Sequence, residues 1–193
     1  LLVLVNLLGN PNDFNEIKKI TKSKNIIIVE DNCESMGAEF EKKKAGTFGE
    51  IGTFSSFFSH HISTMEGGII VTNDEELYHI ILSLRAHGWT RNLPNKSMIH
   101  TKAKDSFEEQ FKFILPGYNL RPLEMSGAIG IEQLKKLPLF INNRIKNAKY
   151  FQEVFSKHED FTIQTEIGKS SWFGFSFIIN ECSKLNRKEL IKY

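Results

Sequence analysis

The chain has 193 residues, 40% of them hydrophobic and 25% charged, a composition typical of a globular protein that buries a sizeable core. Its 25 basic and 23 acidic side chains leave a net charge of +2 and no basic face, which argues against a nucleic-acid partner. Two cysteines are too few for a disulfide framework or a four-cysteine metal or iron–sulfur site, and they favour a cytoplasmic location.

The first predicted element is the apolar run at residues 1–8, which is short and is interrupted by Asn6. It has no basic leader, so we interpret it as a buried strand and expect neither a signal peptide nor a membrane partner. The chain starts inside this strand without a methionine, and it stops at Tyr193 inside a helix predicted from Asn186 onward. Both ends are therefore expected to be cut.

A helix and a second strand follow the first strand. Asp13 and Glu16 have the spacing of a capping box and mark the start of the helix. The β-branched run at 26–29 predicts a buried parallel strand that delivers Asp31 and Glu34 into a loop. Strand, helix and strand predict an α/β fold, in which ligands collect at the carboxyl ends of the strands. Solvated loop acids remain the alternative for this pair.

Two adjacent histidines, His60 and His61, lie between the next two predicted strands, at about 53–57 and at 68–72. The apolar run at 69–71 predicts that the second of these strands is buried. Imidazole titrates near neutrality, so a loop histidine held between rigid strands suits a proton carrier. On these residues alone, a polar surface position competes with a catalytic one.

A helix capped by Asn73 or Asp74 comes next and is followed by an irregular segment at 89–115. The residues of this helix that are expected to face the core are Leu77, Ile80, Ile81 and Leu84. Loops as long as 89–115 inside a globular chain are more often functional than idle. We therefore look for binding residues there.

Two helices separated by Pro138, and then two strands, complete the predicted elements. The strands, at 161–164 and 172–179, predict the opening of a smaller α+β domain. We therefore divide the chain into two parts. Residues 1–137 are expected to form part of a large domain, and residues 138–193 the connecting helix and the beginning of a small C-terminal domain.

An acidic pair after a strand, a serine pair and a double glycine surround the histidines, and together they resemble the cofactor site of the DegT/DnrJ/EryC/StrS sugar aminotransferase family. In this family of fold-type I pyridoxal-phosphate enzymes, an acid pairs with the pyridine nitrogen and a residue three places on approaches the ring hydroxyl. A serine or threonine binds the phosphate five residues before a lysine. The matching positions here are Asp31, Glu34, Ser55 and His60. The resemblance implies an aspartate-aminotransferase-like α/β large-domain sheet with helices on both faces, and pyridoxal phosphate as cofactor.

His60 stands where the family has the lysine that bonds to the cofactor aldehyde, and imidazole has no primary amine for that bond. In this replacement of lysine by histidine, and in the sequence at 57–68, the chain resembles the nucleotide-sugar 3-dehydratases within the family. One kind acts on a CDP-linked sugar and holds an iron–sulfur cluster on four cysteines. Cys33 alone cannot hold such a cluster. The other takes GDP-4-keto-6-deoxymannose without a cluster, and this is the substrate that the resemblance implies, in colitose-type O-antigen biosynthesis.

The same resemblance implies how the site works. The cofactor would act as pyridoxamine phosphate, formed from pyridoxal phosphate with glutamate as the amino donor. His60 would remove a proton as a base and then assist departure of the C3 hydroxyl as an acid. A lysine has a reference pKa about four units higher, so it would be the poorer base at neutral pH unless burial tuned it.

Two further stretches, at 87–94 and 113–124, resemble the GDP-sugar enzymes. They imply substrate contacts for His87 and Arg91, the arginine being suited to a phosphate through its planar fork. They also imply that Asn119 reaches the cofactor phosphate of a neighbouring subunit, and hence a homodimer. For each of these residues, a place on the loop surface or in a turn is the alternative.

Three other functions stay open at this point. The first is a sugar aminotransferase in which His61, Lys44 or another group restores the tether to the cofactor. The second is the CDP-sugar dehydratase, which the cysteine count disfavours. The third is a remnant without catalysis, because the main phosphate loop of the fold is expected before Leu1.

Overall fold

The computed structural model of the protein describes residues 1–192, which form a four-stranded mixed sheet, two small two-stranded sheets, five α-helices and one 3₁₀ helix at Leu7–Gly9. The strands are β1 (Leu2–Val5), β2 (Ile28–Asp31), β3 (Glu39–Phe40), β4 (Lys43–Lys44), β5 (Ile51–Ser55), β6 (Gly68–Val71), β7 (Phe161–Ile163) and β8 (Phe177–Ile179). The helices are α1 (Phe14–Ser23), α2 (Glu75–Leu84), α3 (Ser106–Gln110), α4 (Glu124–Phe155) and α5 (Arg187–Leu190). The predicted C-terminal helix begins as expected with α5, and Tyr193 lies outside the described residues.

The main sheet has the order β1-β2-β5-β6, with β1, β2 and β5 parallel and β6 antiparallel to β5. Its parallel part confirms the α/β unit expected from the strand–helix–strand pattern. The hairpin of β7 and β8 packs beside α4 through phenylalanine rings: Phe155 stacks on Phe177 at 5.7 Å, and Phe161 meets Phe177 edge-on at 4.6 Å. These rings join the C-terminal hairpin to the long helix.

Local capping explains where the first helix begins. The Asp13 side chain accepts hydrogen bonds from the backbone N–H groups of Asn15 and Glu16, both at 3.1 Å. The Glu16 side chain forms an ion pair with Lys19 instead of bonding to the backbone of Asp13, so only half of the predicted capping box forms. Phe14, at the first position, is buried against Phe48 in a stacked pair with ring centroids 4.0 Å apart. This contact fixes α1 against the turn that precedes β5.

The carboxylate of Glu30 is a fully buried junction of the main sheet. Its two oxygens accept the backbone N–H groups of Gly46 at 2.6 Å, Phe48 at 2.5 Å and Gly49 at 2.8 Å. The side-chain amide of Asn6 adds a bond at 3.3 Å, which links the end of β1 to the same group. The run of acids that was predicted to enter a loop thus begins within β2. The role of Glu30 is structural, since buried charges are retained where they are fully hydrogen-bonded.

The long helix α4 runs without interruption through Pro138, so the predicted pair of helices is wrong. Proline in a helix interior costs about 3 kcal/mol because it removes a donor and crowds the preceding turn. The helix contacts other parts of the chain on both sides of the proline. Gly130 lies against Thr64 on the N-terminal side, and the Ile141 side chain lies over Gly37 on the C-terminal side. The proposed division after residue 137 falls inside this helix and stays a prediction.

The two edge strands of the main sheet are more exposed than predicted. Val3 and Val5 of β1 are 57% and 45% exposed, and Ile69 and Ile70 of β6 are 41% and 52% exposed, so the expectation of a buried strand is wrong for both edges of the sheet in this chain. Within residues 1–192, no element covers these side chains. In α2, the most buried residues are His79 and Ser83, whereas the four apolar residues expected to face the core are only half-buried.

The strand predicted at 172–179 is shorter than expected, because its first half is tied to the start of the chain. Trp172 is buried in a left-handed backbone conformation with φ +50°. The N–H groups of Ser171 and Phe173 donate to the carbonyls of Gly9 and Leu8, at 2.9 and 3.0 Å. This segment therefore clasps the turn after β1 and becomes a strand only at Phe177.

None of the helices within residues 1–192 combines the length and the apolar character that crossing a lipid bilayer requires.

We predict that Glu30→Gln lowers the free energy of unfolding of the protein by about 3 kcal/mol, because an amide offers one acceptor oxygen where three backbone N–H groups need two. Urea unfolding followed by circular dichroism measures the change. Glu181→Gln, which alters an exposed glutamate, is the matched control and should change the value by less than about 0.5 kcal/mol. A loss below about 1 kcal/mol for Glu30→Gln would contradict the junction role.

Candidate active site

Asp31 and Ser55 lie at the same edge of the sheet, where the parallel strands end. Asp31 is paired with Val5 on one side and with Thr53 on the other, and Ser55 lies two residues beyond Thr53. This is the carboxyl edge, where α/β sheets place their ligands. The structure thus brings together two of the residues predicted to bind the cofactor.

The hydrogen bonds of these two side chains leave groups available to a ligand. Asp31 is half-buried and accepts the N–H of Cys33 at 3.1 Å through one oxygen, while its other oxygen has no partner among the described residues. Ser55 accepts the N–H of Phe57 at 3.2 Å, which leaves its hydroxyl proton free to donate. One carboxylate acceptor and one hydroxyl donor therefore remain at this edge.

Glu34 contributes to the architecture of the same edge. Its carboxylate accepts the N–H of Leu8 at 2.7 Å and so supports the left-handed conformation of that residue, with φ +53°. The second oxygen of Glu34 has no partner within residues 1–192. Its predicted approach to the cofactor hydroxyl stays a prediction.

The loop that carries the histidines is closed on itself between β5 and β6. Ser56 and Thr64 share a hydroxyl–hydroxyl hydrogen bond at 2.7 Å, and the N–H of Thr64 donates to the Ser56 carbonyl at 2.8 Å. Gly67 has φ +155°, and a Cβ atom there would lie 2.6 Å from the Ser56 hydroxyl. Only glycine fits this closure, which explains the first residue of the double glycine.

His60 presents one nitrogen and hides the other. Its ring centroid is 5.2 Å from that of Phe173 and 6.0 Å from that of Phe57. The Nδ1 atom is enclosed and has no hydrogen-bond partner in the described part of the chain, whereas Nε2 is not enclosed. Nε2 is therefore the nitrogen available for proton transfer.

His61 is 2% exposed and is held by the C-terminal half of the chain. Its Nε2 atom is 3.3 Å from the Ser171 carbonyl oxygen, and its ring centroid is 5.8 Å from that of Phe173. Burial lowers the pKa of His61 to about 4, with a smaller contribution from the charges of Arg144 and His60. The imidazole of His61 is consequently uncharged at neutral pH.

A cleft of about 600 Å³ adjoins the two histidines, between their loop, α4 and the segment 172–175. Arg144 on its wall donates from Nη1 to the carbonyls of Trp172 at 3.2 Å and Phe173 at 2.7 Å. The same guanidinium lies 5.8 Å from the Phe173 ring centroid. The cleft therefore joins polar groups of α4 to the aromatic surroundings of His60.

The residues predicted to contact substrate lie on exposed turns. His87 has a left-handed φ of +64°, and its N–H donates to the Tyr118 carbonyl at 2.8 Å. Ala86 and Asn119 form a backbone bridge, which brings His87 and Asn119 near one another. The Arg91 guanidinium lies 5.1 Å from the Trp89 ring. Within residues 1–192, no hydrogen bond, ion pair or ring contact links these side chains to Asp31, Ser55 or His60, so their roles stay predictions.

A buried cluster that orders the long loop was missed at the level of sequence. Glu109 accepts hydrogen bonds from the Thr90 hydroxyl at 2.5 Å and the Ala103 N–H at 2.8 Å, and its carboxylate lies 2.8 Å from His100 Nε2. These bonds, that from Thr90 foremost, lower the pKa of Glu109 to about 2. No sequence motif links Thr90, the segment at 100–103 and Glu109, because they meet only when the loop is folded.

The Cys33 thiol, between the two acids, is unsuited to catalysis. Burial and the neighbouring charge of Asp31 raise its pKa to about 11. The thiol therefore stays protonated at neutral pH and is a poor nucleophile.

The sequence model of the DegT/DnrJ/EryC1/StrS aminotransferase family matches residues 1–193. Two curated relatives are named GDP-4-keto-6-deoxy-D-mannose 3-dehydratase. The one from Escherichia coli O55:H7 is 65% identical over 99% of the chain, and the one from Yersinia pseudotuberculosis is 66% identical over the same share. The chain spans about half the length of these relatives, 50% and 49%.

Solved structures of GDP-4-keto-6-deoxymannose-3-dehydratase (ColD) superpose on 98% of the chain with a TM-score of 0.95, covering 50% of their own length. One, 65% identical, is a histidine-to-asparagine variant with bound GDP-perosamine. A second, 64% identical, replaces consecutive serine and histidine residues by asparagine and lysine. A third, 65% identical, holds a trapped PLP-glutamate geminal diamine. These likenesses confirm the aminotransferase-like α/β fold expected from the sequence.

We predict that the free energy of unfolding falls by up to about 3 kcal/mol as the pH decreases from 6.5 to 4, and is insensitive to His61 above that range. The unfolded chain, with the ordinary histidine pKa, binds a proton in this window that folded His61 rejects. Urea unfolding at stepped pH measures the slope. His61→Phe should flatten it, whereas His158→Phe, which removes an exposed imidazole, should not. An equal slope for His61→Phe and the native protein would contradict the buried, uncharged state.

Proposed function

Because the chain belongs to the DegT/DnrJ/EryC1/StrS aminotransferase family, we propose that it carries the catalytic residues of a 3-dehydratase that acts on GDP-4-keto-6-deoxymannose. The observation that carries this proposal is that His60, an imidazole, lies five residues after Ser55, where the family has a lysine amine. The Nε2 atom of His60 is not enclosed. The names of the relatives at 65% and 66% identity support the same substrate. The enzyme would be a lyase that retains an aminotransferase half-reaction.

The neighbouring residue supports the choice of His60 over His61. Ser59-His60 is the only serine–histidine dipeptide in the chain. The double variant of ColD alters a serine and a histidine at consecutive positions, replacing the histidine by lysine. His60 stands at the position where the family has a lysine. Replacing the histidine there by lysine, as in the ColD variant, tests the role that we assign to His60.

The residues at the sheet edge fit pyridoxal phosphate and pyridoxamine phosphate. The free oxygen of Asp31 suits a protonated pyridine nitrogen, and the free hydroxyl proton of Ser55 suits a phosphate oxygen. The bound cofactor supplies an amine that reacts with a ketone and a conjugated ring that accepts electrons. Asp31 would keep the ring nitrogen protonated, and Ser55 would hold the phosphate group.

His60 then has two tasks in sequence. As the free base, its Nε2 atom would take a proton from the carbon that bears the cofactor amine, and as the resulting acid it would deliver a proton to the departing C3 hydroxyl of the sugar, which would leave as water. One imidazole can serve both steps because it both accepts and donates a proton near neutral pH. Glutamate as amino donor is supported by the PLP-glutamate adduct in a structure of ColD.

The remaining partners follow from the family resemblance. His87 and Arg91 would contact the sugar nucleotide, with the planar guanidinium suited to its phosphates. Asn119 would reach the cofactor phosphate across a homodimer interface, and its exposed position in this chain is compatible with that. We place the enzyme in the cytoplasm, in the formation of a dideoxysugar for O-antigen. One curated relative, 31% identical, is the Salmonella typhimurium lipopolysaccharide biosynthesis protein RfbH.

An aminotransferase is the second candidate and lacks structural support. Lys44, considered as a substitute tether, lies on the β3–β4 hairpin, where its ammonium pairs with Glu39 at 2.5 Å. His61 has no amine and is enclosed. No lysine within residues 1–192 forms a hydrogen bond or ion pair with Asp31, Ser55 or His60.

We predict that His60→Asn lowers the rate of dehydration of GDP-4-keto-6-deoxymannose, measured with glutamate present, by about 10²- to 10⁴-fold, the range of a lost general base. Cofactor binding, followed by absorbance, should persist because Asp31 and Ser55 are unchanged. His158→Asn is the matched control and should retain activity. Retained dehydration in His60→Asn would remove this residue from its proposed role.

We also predict that borohydride treatment of the native protein with pyridoxal phosphate leaves no stoichiometric lysine adduct, as judged by mass spectrometry. The reason is that imidazole cannot form the reducible bond. His60→Lys should gain one adduct at residue 60, which shows that the assay detects a tether when one exists. A stoichiometric adduct on any lysine of the native protein would favour the aminotransferase.

A further inference from the structure

The buried carboxylate of Glu109 joins three parts of a long segment, 89–115, in which α3 is the one helix. Its oxygens accept hydrogen bonds from the Thr90 hydroxyl at 2.5 Å, His100 Nε2 at 2.8 Å and the Ala103 N–H at 2.8 Å. These bonds, that from Thr90 foremost, lower the pKa of Glu109 to about 2. The carboxylate is therefore ionised at neutral pH and can only accept.

The bond to Thr90 secures the turn that carries Arg91. Thr90 and Leu93 are 0% and 3% exposed, and the N–H of Leu93 donates to the Thr90 carbonyl at 2.9 Å. The N–H of Thr90 donates to the Lys112 carbonyl at 3.0 Å, and the Lys102 ammonium donates to the Arg91 carbonyl at 3.3 Å. Arg91 is exposed between these two buried ends, so its backbone is held in one place.

The guanidinium of Arg91 is directed by a neighbour that rests on the same part of the chain. Trp89 Nε1 donates to the Gln110 carbonyl at 2.8 Å, and the Trp89 ring stacks on Phe113 with centroids 5.6 Å apart. The guanidinium lies 5.1 Å from the Trp89 ring. Both the backbone and the head group of Arg91 are thus supported by residues 109–113.

The donors of Arg91 are available to a ligand. Within residues 1–192, its guanidinium forms no ion pair and no side-chain hydrogen bond. Its planar fork matches a phosphate group, and its charge is permanent. An arginine that is already held in place loses less conformational entropy when it binds.

Resting on the proposed role of Arg91, we infer that Glu109 is a positioning residue for the sugar nucleotide. It holds Thr90, and through Thr90 it keeps the Arg91 guanidinium where the diphosphate of the nucleotide can bind. Glu109 itself is 8% exposed and is hydrogen-bonded within the protein. It therefore acts through Arg91 and not by contact with the ligand.

Substitutions on both sides of the bond test this role. Glu109→Gln keeps the size of the side chain but leaves one acceptor oxygen for three donors, and Thr90→Val removes the hydroxyl. We expect both to raise KM for the sugar nucleotide, Glu109→Gln by about tenfold, with kcat changed less than about threefold. Thr90→Ser, which keeps the hydroxyl, should retain the native KM. Glu108→Gln, which alters an exposed glutamate of the same helix, is the matched control and should change neither constant.

A double-mutant cycle with Arg91→Gln separates positioning from a merely structural role. If Glu109 acts through Arg91, its loss adds little once the guanidinium is gone, so KM of the double variant should lie within about twofold of that of Arg91→Gln. A merely structural role predicts that the two effects multiply. Multiplied effects, or a native KM in Glu109→Gln, would overturn the inference. If Glu109→Gln does not fold, Thr90→Val takes its place in the cycle.

Titration calorimetry with GDP, which carries the diphosphate without the sugar, gives a readout that does not depend on turnover. We expect the Kd for GDP to rise about tenfold in Glu109→Gln and to rise no further when Arg91→Gln already carries the loss. An equal Kd for the native protein and either single variant would refute the inference. Absence of dehydration by the native enzyme, in contrast, would refute the proposed function and leave the GDP titrations interpretable.

Discussion

The structure depends first on one buried carboxylate. Glu30 satisfies three backbone N–H groups of the turn before β5 and, through Asn6, holds the end of β1. Successive side chains of a strand point to opposite faces, so fixing Glu30 inward also fixes the direction of Asp31 at the strand end. The position of Asp31, which we propose binds the cofactor, is thus a consequence of a neighbouring carboxylate whose hydrogen bonds all lie within the protein.

The proposed base depends on a second, more distant constraint. The histidine loop closes on itself through Ser56 and Thr64, and its inner side rests on the segment around Phe173. That segment is secured by Arg144 of α4. The residue assigned to chemistry therefore has one side open to the cleft and the other set by side chains from the C-terminal half of the chain.

Local rules predicted the parts of the fold that depend on neighbouring residues. The cap at Asp13 and the parallel strands follow from residue spacing and strand pattern, whereas the grouping of Asp31 with Ser55 in one site followed from the family resemblance. The predicted helix break at Pro138 was wrong because the contacts of α4 on both sides of it come from distant residues. The predicted burial of β6 was wrong because apolar composition does not reveal what covers a strand. The tautomer of His61 depends on a carbonyl 110 positions away, which no local pattern indicates.

The backbone bonds from Ser171 and Phe173 to the turn at Leu8 and Gly9 have a consequence for folding. They join residues that are far apart in sequence, and contacts of such sequence separation form only after a large loop has closed. During synthesis, the two histidines emerge well before the segment that clasps them. The surroundings of the two histidines are therefore completed late, and a chain released before residue 170 would hold His61 without the Ser171 carbonyl that its Nε2 atom contacts.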